Sequence, residues 1–225
     1  SLGEMIPCGG INEQDAAIGT GSTVYNESDK LYYTFFTGHK YELNEGDSRE
    51  MVMMATSPDF KTWTKSRTFY LRGADYGYEK NDFRDPFVFR GDDNLYHMFV
   101  SAKKGGKGVL AEWTSTDMKE WNHKGVFMTY MWDRFYECPD VFKMGDWWYL
   151  VYSEQHNAIR RVQYFKGRTL DELKACTRND AGLWPDAHEG FLDSRGLYAG
   201  KTASDGTNRY IWGWCPYRSG KDIDE

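Results

Sequence analysis

The sequence has no run of about 18 consecutive apolar residues, the length that a helix needs to cross a membrane. It also has no excess of positive charge, because 34 acidic residues outnumber 28 basic ones and leave a formal net charge of −6. A protein that binds the phosphate backbone of nucleic acid presents a basic patch instead. We therefore predict a water-soluble protein whose partners are neither membranes nor nucleic acids.

Signals for metal binding and for a disulfide framework are absent from the sequence as well. The cysteines are far apart without a C-x-x-C pair, and the histidines lack i, i+4 spacing, so we assign no metal and no cofactor. We expect the thiols to be reduced or buried. No signal peptide is visible after Ser1, but if Ser1 is not the natural start, cytoplasmic and secreted locations both stay open. The residues in question are Cys8, Cys138, Cys176 and Cys215, and His39, His97, His123, His156 and His188.

Aromatic residues, in contrast, are abundant: 9 Trp, 16 Tyr and 13 Phe make up 17% of the chain. Aromatic faces pack broad β-sheets and also stack on sugar rings, and we assign most of them to sheet packing. Many of them belong to a pattern of a short strand, a polar turn and an aromatic-rich strand, which occurs four times. The four copies begin near Val24, Val88, Val141 and Ala199.

A second repeated motif supports this internal symmetry. Residues 57–63 and 115–121 both read S-x-D-[FM]-K-x-W, and each follows a predicted third strand. Repeat units of roughly 55 to 60 residues with about four strands have the size of propeller blades, so we predict an all-β propeller in which Trp63 and Trp121 are packing residues. Helix content should be minimal, and the best helical candidate, Thr169–Lys174, is expected to be a loop insert.

The repeat register predicts which residues meet at the propeller axis. If Val24, Val88 and Val141 are equivalent, then so are Thr20, Arg84 and Glu137 four positions earlier, and Gly21, Asp85 and Cys138 three positions earlier. The innermost strand of each blade lines the central funnel. We therefore expect Asp85 and Glu137 to lie at one rim, with their carboxyl oxygens about 5 to 8 Å apart.

Paired carboxylates are typical of glycoside hydrolysis, in which one acid protonates the leaving oxygen and another carboxylate stabilises or attacks the positive centre. The alternative is that Asp85 caps a turn between Arg84 and Pro86 and that Glu137 is a surface acid. The spacing alone leaves both interpretations open.

Four short motifs in order resemble glycoside hydrolase family 32, the invertases, inulinases and levanases. Arg-Asp-Pro at 84–86 is followed by Glu-Cys-Pro at 137–139, and residues 19–22 and 197–214 are similar to two further family motifs. The resemblance covers the whole chain and implies a five-bladed propeller that cleaves β-fructofuranosyl bonds of sucrose or fructans with retention. It implies Glu137 as the general acid/base and Asp85 as the transition-state stabiliser. The substrate-binding candidates are Arg84, Ser22, Tyr198 and Lys201.

The sequence also departs from the family pattern. The family's nucleophile lies in a W-M-N-D-P-N-G-like motif, which does not occur here, so the nucleophile is not present in this chain. We accordingly expect residues 1–225 to form one propeller domain truncated at both ends, with about four blades visible, and to be inactive alone. Gly19 replaces a family phenylalanine, which removes an aromatic wall from the predicted pocket.

Two rival functions stay open at this point: a noncatalytic carbohydrate-binding propeller, and a related five-bladed glycosidase or fructosyltransferase of the family 43 or 68 type. Substrate preference and oligomeric state are not predicted.

Overall fold

The computed structural model describes residues 3–129, 135–156, 159–175, 189–192 and 196–215. This part of the chain is almost entirely β-structure, as predicted, with one short α-helix and one 3₁₀ helix, Gly73–Tyr76. The strands are β1 (Ala17–Asn26), β2 (Leu31–His39), β3 (Glu50–Ser57), β4 (Thr64–Leu71), β5 (Phe83–Arg90), β6 (Tyr96–Lys104), β7 (Lys107–Ser115), β8 (Asn122–Thr129), β9 (Glu137–Met144), β10 (Trp147–His156), β11 (Ile159–Gly167), β12 (Glu189–Phe191), β13 (Tyr198–Ser204) and β14 (Arg209–Trp214).

These strands form three four-stranded sheets and one hairpin. The sheet orders are β1-β2-β3-β4, β5-β6-β7-β8 and β9-β10-β11-β12, and β13 pairs with β14. Every pair of neighbours whose register is defined runs antiparallel and follows chain order, which is the meander of a propeller blade. The fold is that of the predicted propeller, incomplete in this chain.

The residues cluster into two compact units. The first contains Ser1–Gly105 and Leu110–Val126, and the second contains Gly106–Val109 and Phe127–Glu225. The first unit holds the β1–β4 sheet and most of the β5–β8 sheet, and the second holds β9–β12 and the β13–β14 hairpin.

The middle strands are buried on both faces, whereas the outer strand of the first sheet is largely exposed. In β6, all residues from Tyr96 to Ala102 are buried, while in β4 only Leu71 is. A strand buried on both faces is covered by neighbouring sheets, which explains the continuous apolar and aromatic runs at β2 and β6. Large fully buried side chains include Trp113, Tyr33, Phe35, Phe83 and Phe99 in the first unit, and Tyr136, Tyr152 and Phe165 in the second.

The repeated S-x-D-x-K-x-W motif forms the same turn twice. Asp59 Oδ1 accepts hydrogen bonds from the backbone N–H groups of residues 61 and 62, and Asp117 Oδ1 does the same for residues 119 and 120. The residue after each aspartate adopts a positive φ, 62° at Phe60 and 65° at Met118. The two copies are therefore structurally equivalent, as the sequence predicts.

The tryptophans that end these turns are packing residues, as expected. The ring of Trp121 meets that of Phe35 edge to face at 5.5 Å, and Trp63 packs against the buried cluster of Phe36, Met53 and Ala55. Trp121 therefore links the second sheet to the first.

The helical candidate forms a six-residue helix, Leu170–Ala175 (α1), rather than a loop. Thr169 Oγ1 accepts a hydrogen bond from the N–H of Glu172 at 3.1 Å, and Leu173 is buried, so an N-cap and one apolar anchor suffice for this short helix. Neither helix in the described ranges could cross a membrane. Cys8, Cys138 and Cys215 are free thiols, of which Cys138 is buried; Cys176 and His188 lie outside the described residues.

Candidate active site

The same β-bulge occurs in the first strand of each sheet. In β1, β5, β9 and β13, two residues on this strand face one on its partner, and the bulges follow Ile18, Arg84, Glu137 and Tyr198. The next residues, Asp85, Cys138 and Ala199, have φ angles of 58°, 51° and 52°. Arg84, Glu137 and Tyr198 thus occupy one equivalent position, and Asp85, Cys138 and Ala199 the next.

The register prediction was right for β5 and β9 and wrong for β1. There Ile18, not Thr20, precedes the bulge. The reason is the distance from bulge to hairpin turn: paired residues run from Gly21 to Asn26 in β1 but only from Phe87 to Arg90 in β5. Counting back from the valines cannot detect this difference.

Asp85 is held rigidly in the first unit. Its residue is 5% exposed, and its backbone N–H donates to Thr37 Oγ1 at 2.8 Å. The Thr37 hydroxyl in turn donates to the carbonyl oxygen of Thr20 at 3.1 Å. A left-handed backbone costs a non-glycine residue about 1 to 2 kcal/mol, and the hydrogen bond from Thr37 helps to hold Asp85 in it. The backbone at this carboxylate is therefore strained but fixed.

Arg84 is oriented by carboxylates of the same unit. One of its guanidinium nitrogens lies 3.2 Å from Glu50 Oε2 and 3.2 Å from Asp82 Oδ1. Glu50 is buried and also accepts the backbone N–H of Phe83 at 3.0 Å, so its carboxylate connects β3 to the start of β5. No motif points to Glu50, because its partners lie 33 and 34 residues away in sequence.

The Gly21-Ser22 pair joins β1 to β5. The Ser22 hydroxyl donates to the carbonyl oxygen of Pro86 at 3.2 Å and accepts the N–H of Val88 at 2.8 Å. A Cβ atom on Gly21 would lie 2.1 Å from the carbonyl oxygen of Phe35, so only glycine fits there. Substrate contact by Ser22 stays a prediction, since its one proton is donated to the neighbouring strand in this structure.

Glu137 in the second unit is bound by Tyr198. The Tyr198 hydroxyl donates a hydrogen bond to Glu137 Oε2, and Tyr198 is almost fully buried. Phe135 and Tyr136, the two residues before Glu137, are buried as well. Substrate binding by Tyr198 stays a prediction; in this structure its hydroxyl group contacts the predicted acid/base itself.

Lys201 and Asp140 fix the bulge that carries Glu137. Lys201 Nζ donates to the carbonyl oxygen of Pro139 at 2.7 Å. Asp140, only 1% exposed, accepts the backbone N–H of Thr202 at 2.6 Å and its hydroxyl at 3.1 Å. Burial raises the pKa of Asp140, although the charges of Lys201 and Arg209 and the hydrogen bonds from Thr202 oppose that shift.

Sequence reasoning did not assign a role to Asp140. The signal was its place directly after Glu-Cys-Pro, which put a carboxylate at the far side of the bulge. Asp140 and Ser22 make equivalent contacts with the following sheet. The Asp140 carboxylate accepts the N–H of Thr202, two residues after Gly200, and the Ser22 hydroxyl accepts the N–H of Val88, two residues after Pro86.

Asp85 belongs to the first unit and Glu137 to the second. Their predicted separation of about 5 to 8 Å stays a prediction.

No group of three His, Cys, Asp or Glu residues in the described ranges is arranged to hold a metal ion. The buried His97 instead bridges two carboxylates, with Nδ1 2.9 Å from Glu112 and Nε2 3.1 Å from Asp93. Burial disfavours its charged form, but these hydrogen bonds outweigh burial and raise the pKa of His97.

Comparison with known proteins places these motifs in a family. Residues 10–222 match the model described as the Glycosyl hydrolases family 32 N-terminal domain. The chain is 27% identical over 216 residues to "Beta-fructofuranosidase, insoluble isoenzyme CWINV2" of Arabidopsis thaliana, covering 88% of this chain and 36% of that protein. It is 41% identical over 186 residues to a "Sucrose-6-phosphate hydrolase" of Vibrio alginolyticus, covering 72% of this chain and 36% of that protein.

A solved structure shows the same fold. Fructan 1-exohydrolase IIa from Cichorium intybus superposes with a TM-score of 0.70 at 18% identity, over 96% of this chain and 43% of that one. The chain thus spans roughly a third of the length of these two curated relatives. With its propeller sheets, its ordered motifs and a family match over nearly its whole length, this chain belongs to glycosyl hydrolase family 32.

Proposed function

We propose that this chain is part of a retaining glycoside hydrolase that cleaves β-fructofuranosyl bonds of sucrose or fructans. The relatives named above are a β-fructofuranosidase, a sucrose-6-phosphate hydrolase and a fructan exohydrolase. The observation that carries the proposal is the Glu137–Tyr198 hydrogen bond, because it fixes the carboxyl group of the family's acid/base motif.

Glu137 acts first as a general acid and then as a general base. Its carboxyl group gives its proton to the leaving sugar oxygen as the glycosidic bond breaks, and afterwards removes a proton from the water that releases fructose. Both steps need one oxygen of the carboxyl group aimed at the reacting atoms. The hydrogen bond from Tyr198 to Oε2 fixes the orientation of the carboxyl group.

Asp85 remains ionised in the proposed mechanism and binds fructose hydroxyl groups as positive charge develops on the ring. Its usefulness depends on being preorganised, and the Thr37 hydrogen bond at 2.8 Å supplies this. Arg84, anchored by Glu50, is proposed to bind substrate beside it.

The test is Glu137→Gln in an active form of the enzyme, meaning a protein that contains this chain together with the family's nucleophile. Glutamine keeps the shape and the Tyr198 contact but has no proton to give, and general acid catalysis contributes roughly 10²- to 10⁴-fold. Cleavage of natural fructosides should fall by that factor. A fructoside whose leaving group needs no proton should form the fructosyl-enzyme readily, after which added azide should restore turnover and give a β-fructosyl azide.

Glu45→Gln, a change at an exposed acid, is the matched control and should leave all rates unchanged. Equal losses on natural and activated substrates without azide rescue would show that Glu137 is not the acid/base. An active enzyme that inverts configuration at the fructose anomeric carbon would exclude the retaining mechanism.

A further inference from the structure

A pocket of about 520 Å³ lies in the first unit between the outer strand β4 and the turn that ends at Trp121. It belongs wholly to residues of that unit. Ligand pockets in proteins typically measure about 300 to 1,000 Å³, so its size is sufficient for a small molecule or for sugar units of a longer chain.

The floor of this pocket, which we call the β4 pocket, is aromatic and rigid. Trp121 packs edge to face on the buried ring of Phe35 at 5.5 Å, and its indole N–H donates to the carbonyl oxygen of Met118 at 3.1 Å. Phe69 meets the same Phe35 ring at 5.6 Å. Because both aromatic side chains are fixed from behind, they form a preorganised surface on which a flat or weakly puckered ring can stack without ordering them first.

The rim of the β4 pocket carries polar groups that the protein does not use. Within the described ranges, no hydrogen-bond partner exists for the hydroxyl groups of Thr68, Tyr70 and Tyr76 or for the carboxylate of Glu120. Tyr70 is 47% exposed, so its ring and hydroxyl are accessible. Three hydroxyl groups and one carboxylate around an aromatic floor match a ligand with many hydroxyl groups and apolar C–H faces.

The charge of the rim distinguishes between neutral and anionic ligands. The one cation, Lys119, lies 3.1 Å from Asp29, while Glu120 has no positive partner in the described ranges. The uncompensated charge at the pocket is therefore negative, which disfavours phosphorylated or sulfated ligands. A neutral saccharide, whose hydroxyl groups donate to carboxylates, fits better.

The β4 pocket is distinct from the candidate catalytic residue of the same unit. β4 is the outer strand of its sheet and is separated from β1 by β2 and β3. Three inter-strand spacings amount to about 14 Å. Asp85 lies on β5 and its backbone N–H bonds to Thr37 on β2, whereas none of the residues that line the β4 pocket belongs to β2 or β5. A ligand in the β4 pocket therefore does not occupy the position at Asp85.

We propose that the β4 pocket is an accessory binding site for a neutral oligosaccharide, with one or two sugar units stacked on Trp121 and Phe69 and held by Tyr70 and Glu120. This goes beyond the proposed hydrolysis, because it adds a second carbohydrate site on the outer side of the sheet. Only the choice of a fructo-oligosaccharide as the first ligand rests on the proposed function.

The test titrates the 225-residue chain with an inulin-type tetrasaccharide while the Trp121 indole N–H resonance is followed by NMR. The resonance is assigned by its loss in Trp121→Phe. It should shift with saturation, and Tyr70→Ala should raise Kd by at least about tenfold, since it removes both a stacking ring and a hydroxyl group. Glu120→Gln should raise Kd by about threefold or more.

Matched controls are Tyr25→Ala and Glu27→Gln, an exposed tyrosine and an exposed glutamate elsewhere on the same unit, which should leave Kd within twofold. An unshifted Trp121 resonance at saturating sugar, or equal Kd values for Tyr70→Ala and Tyr25→Ala, would overturn the proposal. Tighter binding of a phosphorylated sugar than of its neutral counterpart would overturn it too.

A panel of neutral oligosaccharides built from fructose, xylose, arabinose or galactose distinguishes failure of the accessory site from failure of the proposed function. Binding at Trp121 together with no fructosidase activity in an active form of the enzyme would support the accessory site and refute the proposed reaction. Fructosidase activity with no binding of any panel member at Trp121 would support the proposed reaction and refute the accessory site.

Discussion

Replacing Tyr198 by phenylalanine isolates the hydrogen bond that holds Glu137. The change removes the hydroxyl that donates to Glu137 Oε2 and keeps the ring, which packs edge to face against Trp214 with centroids 6.4 Å apart. A hydrogen bond to a charged group contributes about 1.5 to 3 kcal/mol. At 1.36 kcal/mol per factor of ten, kcat/KM in an active form of the enzyme should fall about 10- to 150-fold.

The assay compares sucrose with a fructoside whose leaving group departs without protonation. If Tyr198 positions the acid, kcat should fall more for sucrose than for the activated fructoside, and KM should change little. Tyr210→Phe is the matched control, because its hydroxyl lies on the same hairpin and donates to the exposed Asp205 at 2.8 Å. That change should leave both substrates unaffected.

Two results would refute this reasoning. A Tyr198→Phe enzyme within twofold of the unmodified one would show that the hydrogen bond does not contribute to catalysis. A rise in KM with unchanged kcat would instead indicate that Tyr198 binds the sugar directly, as the sequence alone predicts.

Gly21→Ala should destabilise the fold by about 1 to 3 kcal/mol or more in urea unfolding, because its Cβ would lie 2.1 Å from a backbone oxygen. Gly10→Ala, with 3.8 Å of clearance, should have little effect. Equal unfolding midpoints for the two variants would contradict the predicted steric clash. Thr202→Val should lower the free energy of unfolding by about 1 to 3 kcal/mol, because it removes a hydrogen bond that the buried Asp140 accepts. Thr207→Val, a change at an exposed threonine, should leave the free energy of unfolding unchanged. The raised pKa of His97 means that its ion pairs stabilise the fold fully below pH of about 6.5 and that this contribution is lost as pH rises through the folded-state pKa. Urea unfolding between pH 6 and 8.5 should show this loss, His97→Gln should flatten it, and an unchanged slope would contradict it. The 225-residue chain alone should release no fructose from sucrose, inulin or levan, since the family's nucleophile motif is absent from it; turnover abolished by Asp85→Asn would refute this.

The repeated hairpins could be predicted because their signals are local. Aromatic strands alternate with polar turns, and the Ser-x-Asp turns carry their hydrogen-bond acceptors within three residues, at Asp59 and Asp117. The bulge after Ile18 could not be located by counting, because its distance from the hairpin turn differs between strands. The helix at Leu170–Ala175 stands where a loop is predicted, although its cap, Thr169, is visible in the sequence.

The partners of the candidate site residues were harder to predict because they are distant in sequence. Glu50 reaches Arg84 across 34 residues, Tyr198 reaches Glu137 across 61, and Thr202 reaches Asp140 across 62. Only the folded sheets bring them together. Motifs therefore identified which residues to consider, whereas the hydrogen bonds that orient those residues required the structure.

The residue before the recurring bulge differs from sheet to sheet, while the bulge itself recurs. Isoleucine, arginine, glutamate and tyrosine occupy the position before it at Ile18, Arg84, Glu137 and Tyr198, and antiparallel pairing flanks the bulge in all four strands. The ladder on both sides of the bulge does not depend on which side chain stands there. One substitution at this position can thus introduce an acid, a cation or a hydroxyl while the sheets keep their packing, which gives a descendant of this scaffold a route to a new substrate through a few point changes.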